Sequence, residues 1–331
     1  MVNSTSLTAR LMQARDRGAG YLLAAQRSDG AIGEPERYGC GPYYKTLWAL
    51  AAAGQPEAAN RLASWIKANV QQPDGDFNGP LRGAFHDNNY PYPSAWILVG
   101  AAKLHRWDIF IPGVRFLQTL QSRETGGFRL RRDDSLAVQD ALNAGQAGNA
   151  LLCAGNITDA VRAGEFLQMM WEAQPHPDRE LYFVWKPGTG LRTEFPEERQ
   201  YLHSIRVDKP RQPYFNSGMA AAFLTRLYMA THNRTWLDLA KRWLEISFHT
   251  LDEMYETAQV GKVGWGAALV YAATGEERYR GLAERAGDAM AAQQTDSGGW
   301  DNTGGYVNDA IRQEVTAEFV VLLDEMCAGL A

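Results

Sequence analysis

The chain has 331 residues, of which 45% are hydrophobic and 21% are charged. This composition is typical of a globular protein with a large core and excludes a disordered chain or a coiled coil. The net charge of −5 argues against a nucleic acid or an anionic membrane surface as the main partner. Three widely spaced cysteines form no disulfide framework, and no apolar run is long enough to span a membrane. Because residues 1–15 lack the apolar region of a signal peptide, we expect a cytoplasmic protein.

A short motif recurs six times and indicates six similar units. Each copy places an aromatic residue, or Ala289 in the weaker sixth copy, three positions after Gly or Ala, or after Leu62 in the second copy. These residues are Tyr21, Trp65, Phe116, Phe166, Trp243 and Ala289. Successive copies are 44 to 51 residues apart, except for one interval of 77 residues. The sequence therefore predicts six units, one of which is followed by a long insertion at residues 175–212.

Each unit is predicted to contain two helices. The first has polar residues on one face, and these helices span Leu7–Gln26, Pro56–Val70, Ile111–Gln121, Thr158–Trp171, Trp236–Leu251 and Glu277–Gln294. The second is apolar or small on nearly every side and therefore surrounded by protein, and these helices span Tyr43–Ala53, Ser94–Leu104, Val138–Ala154, Ser217–Met229, Val263–Ala273 and Ala310–Met326. This alternation predicts an all-α fold, an (α/α)6 barrel or toroid, as one domain over residues 1–331. An open helical solenoid is the alternative.

Glycine-rich turns that begin with glutamine follow four of the polar-faced helices. They are Gln26–Gly30, Gln71–Phe77, Gln121–Phe128 and Gln294–Trp300. Glycine supplies the positive φ that ends a helix. We expect the glutamines to cap helix ends and the turns to hold the ring together, without a role in chemistry.

The repeats resemble the QW repeat of terpenoid cyclases. The residues that match it are Arg17, Gly18, Tyr21, Leu22, Gln26 and Gly30, with Gln294, Gly298 and Trp300 in the last copy. The resemblance implies the α/α-toroid superfamily, which includes terpenoid cyclases, protein-prenyltransferase β subunits and the linalool dehydratase–isomerase type, and it implies a bowl-shaped cavity at one end of the barrel. The stretch Arg131–Asp134 lacks the first Asp of the cyclase motif Asp-x-Asp-Asp, and the prenyltransferase zinc motif does not occur. The reaction therefore stays open.

The loops that lead into the buried helices are expected to face this cavity and to carry the catalytic residues. Cys40 lies between glycines at a helix start, which would lower its thiol pKa, and Tyr44 follows it. His86 and Asp87 form a candidate acid–base dyad. Asp140 is the best candidate general acid or base, because burial would raise its pKa. Structural roles for these residues, in a tight turn, a solvated loop or polar helix contacts, are the alternatives.

Further aromatic and polar side chains are candidate substrate-binding residues. In the loops and inner helices they are Tyr38, Tyr90, Trp96, Asn143, Tyr214, Asn216, Trp265, Trp300 and Asp309. Trp185 and His203 belong to the insertion, which we interpret as a lid over the cavity or as an oligomer contact. No metal-ligand spacing or phosphate-binding loop occurs, so neither a metal nor a cofactor is expected. The expected partner is a small-molecule substrate, and a homo-oligomer is left open.

Three functional hypotheses follow. The preferred one is a cofactor-independent cyclase, isomerase or lyase that acts on a largely apolar, terpenoid-like molecule, with aromatic walls that stabilise cations. The second is a carbohydrate-active enzyme of the uronide hydrolase, epimerase or lyase type, with Asp87 and Asp140 as acid and base. The third is a toroid that binds an apolar ligand or partner without catalysis.

Overall fold

A computed structural model describes residues 6–84, 86–301 and 307–331. Its α-helices are α1 (Leu7–Ala24), α2 (Pro35–Tyr38), α3 (Thr46–Ala52), α4 (Pro56–Asn69), α5 (Pro91–Lys103), α6 (Trp107–Thr119), α7 (Ala141–Cys153), α8 (Ile157–Glu172), α9 (Phe215–Thr231), α10 (Arg234–Glu245), α11 (Val260–Thr274), α12 (Glu277–Ala292) and α13 (Asp309–Leu330). Its strands are β1 (Gln139–Asp140), β2 (Glu180–Tyr182), β3 (Val184–Lys186), β4 (Gly190–Leu191) and β5 (Ser204–Arg206). Within these residues, no helix has the length and apolar character that crossing a membrane requires.

Six helices form a closed inner ring. Helices α3, α5, α7, α9, α11 and α13 contact one another in chain order, and α13 also contacts α3. The other long helices pack on the outside, with α1 against α13, α4 against α3, α6 against α5, α8 against α7, α10 against α9 and α12 against α11. The first and last hairpins contact each other, which would not happen in an open solenoid. The predicted (α/α)6 barrel is therefore confirmed.

The inner helices approach one another closely where the sequence supplies small residues. Every residue of α11 from Val260 to Val270 is buried. A Cβ atom added to Gly218 of α9 would lie 2.2 Å from the backbone of Lys262 in α11. Only glycine permits that approach, so Gly218 sets the spacing of α9 and α11 at the level of Lys262.

Helix α7 begins later than the sequence predicts. Gln139 and Asp140 were expected inside the helix but form strand β1, which pairs antiparallel with β3. Asp140 then acts as the N-cap, since its side chain accepts a hydrogen bond from the Asn143 amide at 2.7 Å. An N-terminal Asp that captures an unpaired helical N–H fixes the start of a helix at the next residue.

The turn glutamines connect neighbouring outer helices rather than cap the helix that precedes them. Gln294 Nε2 donates to the Gly298 carbonyl and to the Ala14 carbonyl of α1, both at 2.8 Å. The equivalent bonds to the next outer helix are Gln26–Ala58, Gln71–Ile109 and Gln121–Asp159. The bond from Gln294 to Ala14 joins the last repeat to the first and so closes the outer ring.

The strands of the insertion form two small antiparallel sheets beside α7, one of which includes β1. One pairs β2 with β5, and the other has the order β1–β3–β4. Because β1 directly precedes α7, its pairing with β3 fixes the insertion at the amino-terminal end of that helix.

We predict that Gln294→Ala destabilises the fold by about 1–3 kcal/mol, because it leaves two carbonyl groups at the ring closure without their donor. The measurement is the free energy of unfolding in urea. The control is Gln13→Ala, on the exposed face of α1, which is expected to change stability by less than about 0.5 kcal/mol. Equal effects of the two substitutions would contradict a role for Gln294 in closing the ring.

Candidate functional site

A cavity of about 240 Å³ lies at the end of the ring where the inner helices begin. Its lining includes charged and aromatic side chains from the first turns of α5, α9 and α11, from the first three turns of α13 and from the residue before α3. They are Lys45, Tyr92, Phe215, Lys262, Glu314 and Glu318. The bowl expected at one end of the barrel is therefore present, but its wall is charged.

Two lysines share one buried carboxylate in this wall. Lys45 Nζ donates to Glu318 Oε2, and Lys262 Nζ donates to Glu318 Oε1. Lys45 Nζ also donates to Glu314 Oε1 at 3.0 Å. Lys45, Lys262 and Glu318 are buried, and the Glu314 side chain is only 13% exposed. The two positive and two negative charges therefore compensate one another inside the protein.

The lysines hold both glutamates in the ionised form. Burial alone would raise the pKa of Glu318, but Lys262 and Lys45 outweigh it and lower that pKa to about 2. Burial also opposes ionisation of Glu314, whose pKa is nevertheless lowered by Lys45 and, to a smaller extent, by His86 and Tyr44. Neither carboxyl group is therefore a proton donor near neutral pH.

Tyr44 and His86, two of the predicted catalytic residues, meet at Glu314. The Tyr44 hydroxyl donates to Glu314 Oε1, and His86 Nε2 lies 3.9 Å from the same oxygen. Burial lowers the pKa of His86 to about 4, although the carboxylate of Glu314 acts in the opposite direction. The site thus combines a neutral imidazole, a phenol and an ionised carboxylate.

A layer of indole rings lies inside the ring next to the charged groups. Lys45 Nζ is 5.7 Å from the centre of the Trp96 ring. Trp96 packs against Trp48 at 5.0 Å, and Trp48 packs against Trp265 at 6.2 Å. The predicted binding residues Trp96 and Trp265 therefore stack within the barrel core, and Tyr92 and Phe215 supply aromatic surface to the cavity.

Asp140 and Asn143 lie next to the loop that carries His86. Asn143 Nδ2 donates to Asp140 Oδ1 at 3.0 Å and to Asn89 Oδ1 at 3.1 Å. Burial raises the pKa of Asp140 to about 6, although its bonds to Asn143 act in the opposite direction. The predicted rise is therefore present, in a residue whose carboxylate caps α7.

Cys40, Asp87, Tyr38 and Asp309 do not line the cavity around Glu314. The thiol of Cys40 is buried, and burial raises its pKa to about 12. The expected lowering was wrong, because desolvation outweighs nearby positive charge. Asp87 is exposed and lines a separate polar cavity with Arg131 and others. Tyr38 is half-buried, and the side chain of Asp309 is 76% exposed.

The other loop residues predicted to bind substrate are buried and hydrogen-bonded within the protein. They are Tyr90, Tyr214, Asn216 and Trp300. Tyr90 donates to the carboxylate of Asp76, and Tyr214 donates to that of Glu253. Asn216 donates to the carbonyl of Pro213, and Trp300 donates to that of Met290. These contacts show how each side chain is held in the fold.

The two predicted residues of the insertion pack near their own segment. His203 stacks on Phe195 at 4.6 Å, and its Nδ1 lies 2.9 Å from the Arg199 carbonyl. Trp185 packs edge-on against Phe166 of α8 at 6.4 Å. The structure thus assigns both side chains to the packing of the insertion beside α7 and α8.

The central residues Lys45, Lys262, Glu314 and Glu318 were missed as candidates. A signal for them exists in the sequence. Glu314 and Glu318 are four positions apart, which places both on one face of a helix. A charged side chain on a helix that is otherwise apolar on every side must be paired or must line a polar cavity.

No family model matches the chain, and no curated protein matches it in sequence. Solved structures do match its fold. They include a D-mannose isomerase (TM-score 0.66, 13% identity, covering 94% of this chain and 97% of the other). An alpha-1,6-mannanase from Salegentibacter sp. HEL1_6 matches with a TM-score of 0.64 and 11% identity over 96% and 99% of the two chains. A sugar epimerase from a ruminal bacterium matches with a TM-score of 0.63 and 13% identity over 94% and 98%.

These likenesses establish the fold. At such low identity they leave the activity of this chain to be argued from its own residues. They do not show membership of the terpenoid cyclase superfamily implied by the repeat motif. The chain is thus an (α/α)6 barrel with a charged cavity at the end where its inner helices begin.

We predict that Glu318→Gln lowers the free energy of unfolding by about 3–5 kcal/mol, because it leaves two buried ammonium groups without their shared carboxylate. The control is Glu284→Gln, whose partner Arg280 is at the surface of α12, and little change is expected there. Chemical denaturation at pH 7 measures both variants. A Glu318→Gln protein as stable as the control would contradict the paired-charge description.

We predict that the folding stability of the Asp140→Asn protein increases relative to that of the wild type as the pH rises. Below pH 4 the Asp140 carboxyl is protonated in both the folded and unfolded states. From pH 4 to 6 the unfolded chain releases the proton while the folded state retains it, so rising pH destabilises only the wild type. With a pKa raised from 3.8 to about 6, the difference between variant and wild type grows by up to about 3 kcal/mol by pH 7.

Unfolding measured at pH 4 and pH 7 tests this expectation for Asp140. Asp74→Asn is the matched control, because the exposed Asp74 also accepts a bond from a backbone N–H. A stability difference for Asp140→Asn that is independent of pH would contradict the raised pKa.

Proposed function

We propose that this protein is a carbohydrate-active enzyme that moves a proton within a neutral monosaccharide, as an aldose–ketose isomerase. One observation carries the proposal: both carboxyl groups that line the cavity, Glu314 and Glu318, are held ionised by buried lysines. The fold shared with a D-mannose isomerase and a sugar epimerase is in keeping with this reaction.

The ionised carboxylates argue against glycoside hydrolysis. A glycosidase needs one carboxyl group that stays protonated near neutral pH and donates its proton to the leaving oxygen. Glu314 and Glu318 are unsuited to that role because their pKa values are lowered. Asp140 has a raised pKa, but its carboxylate is bonded to Asn143 at the start of α7. Abstraction of a carbon-bound proton, in contrast, requires a group that is already deprotonated.

The groups around Glu314 suit the steps of an isomerisation. Glu314 takes the proton from C2 of the open-chain sugar, and the electron pair moves into the C1 carbonyl to give an enediolate. Lys45 and Tyr44 are the donors that stabilise its oxygen. Return of the proton to C1, with His86 as the neutral relay, and transfer of the O2 proton to O1 give the ketose. Engagement of Lys45 by the sugar oxygen weakens its hold on Glu314 and makes that carboxylate a stronger base.

The cavity favours a single neutral sugar. Its volume of about 240 Å³ lies below the range of about 300–1,000 Å³ for drug-sized ligands. Its two lysines are already balanced by two glutamates, which leaves no surplus positive charge for a phosphate or a uronate. Tyr92 and Phe215 provide aromatic faces of the kind on which sugar rings stack.

The preferred hypothesis from the sequence, an apolar terpenoid-like substrate, is less compatible with this wall. An apolar molecule would cover the charged groups of Lys45, Lys262 and Glu314 without offering them a hydrogen bond, which is unfavourable. Trp96 and Trp265, two of the aromatic residues predicted to bind substrate, are stacked on Trp48 in the core.

Incubation with a panel of aldohexoses and aldopentoses in deuterium oxide tests the proposal. For one of them we expect NMR to show ketose formation with solvent deuterium at C1, the carbon that receives the proton. Glu314→Gln should lower the rate by about 10²–10⁴, the usual contribution of a general base. Glu284→Gln, on the outer surface, should retain the wild-type rate. Exchange in the Glu314→Gln protein at the wild-type rate, or hydrolysis of a glycoside without any exchange, would contradict the proposal.

A further inference from the structure

A larger cavity lies at the opposite end of the barrel, where inner helices α5, α7 and α9 end. Its volume is about 400 Å³. The side chains that matter for its chemistry are Lys103, Trp107, Asn149, Cys153 and Arg226. None of them takes part in the site around Glu314, so a ligand of this second cavity would differ from the substrate of the first.

Positive charge exceeds negative charge among the groups at this cavity. Arg226 donates to Glu325 Oε2 and, at 3.5 Å, to Asn149 Oδ1. Lys103 Nζ lies 3.7 Å from Glu325 Oε1. One carboxylate therefore faces two cations. Lys103 is the last residue of α5, where a cation offsets the partial negative charge of the helix end. Arg226 lies more than one turn before the end of α9, beyond the reach of that effect.

The remaining wall is apolar and includes a partly uncovered aromatic ring. Trp107 is 46% exposed, and Val99, Ala102 and Leu152 extend the apolar surface. A flat apolar group laid on this indole would cover surface that now contacts water, which favours binding. The cavity therefore offers an apolar face beside an excess of cationic donors.

The indole layer separates the two cavities. Lys103 Nζ lies 5.6 Å and Arg226 Cζ lies 5.9 Å from the Trp48 ring. On the side of the first cavity, Lys45 contacts Trp96, which packs on Trp48. A ligand beside Arg226 thus occupies a different site from a substrate beside Lys45.

We propose that this second cavity binds a small organic anion with a flat apolar body, of the aromatic carboxylate class. The carboxylate lies between Lys103 and Arg226, and its ring rests on Trp107. Arg226 is held in place for this contact by Glu325 and Asn149. The inference stands on the groups of this cavity and is independent of the reaction at Glu314.

Cys153 provides a reporter within the cavity, because it is exposed while Cys40 and Cys327 are buried. The probes are benzoate and its uncharged analogue benzyl alcohol, and the readout is the rate of Cys153 alkylation by iodoacetamide, followed by intact mass spectrometry. Benzoate should slow alkylation, and benzyl alcohol should do so only weakly. Lys103→Gln should weaken benzoate binding about tenfold, the loss of one charge-assisted hydrogen bond. Lys186→Gln, at the exposed end of strand β3, is the control.

A second readout uses the charge of the alkylating reagent. Relative to a cysteine peptide, Cys153 should prefer the anionic iodoacetate over iodoacetamide, and Lys103→Gln should reduce that preference. Equal protection by benzoate and benzyl alcohol, or no protection by either, would overturn the proposal. A reagent preference identical to that of the peptide would overturn it as well, because the cavity would then lack the positive potential on which anion binding rests.

Discussion

The carboxylate of Glu318, shared between Lys45 and Lys262, is the interaction on which the rest of the site depends. Transfer of a single charged group from water to the protein interior costs several kcal/mol, and only close pairing offsets that cost. The network therefore requires α3, α11 and α13 to sit in one register. Gly218 contributes to the position of α11, because the absence of a side chain lets α9 approach α11 at Lys262.

The same network determines which chemistry the cavity can perform. A buried glutamate without a cationic partner would hold its proton and act as an acid. With Lys45 beside it, Glu314 is ionised and becomes a base, and the neutral His86 and the Tyr44 hydroxyl meet at its oxygen. The closed ring brings these residues together from distant parts of the chain. A layer of indole rings inside the barrel separates the cavity around Glu314 from the cationic cavity around Arg226.

Much of the fold was predictable because it rests on local signals. The repeated aromatic motif and the glutamine–glycine turns predict six hairpins, and the apolar helices predict their inner position. Tyr44 and His86 were predicted from their place in loops before those helices. Glu314, Glu318, Lys45 and Lys262 were not, because pairing across three helices depends on how each helix is rotated. Cys40 was misjudged for a related reason: the sequence shows a helix start and does not show the burial that raises the thiol pKa.

The most direct test of this account is a carbon-13 NMR titration of the glutamate side-chain carboxyl groups, assigned with the Glu314→Gln and Glu318→Gln proteins. We expect both carboxyl groups to be ionised at pH 6, and Glu318 to remain so until the pH approaches about 2. A signal from either residue that titrates between pH 5 and 8 would contradict the central claim. It would show a protonated carboxylic acid in the cavity, the group that hydrolysis requires and that proton abstraction does not.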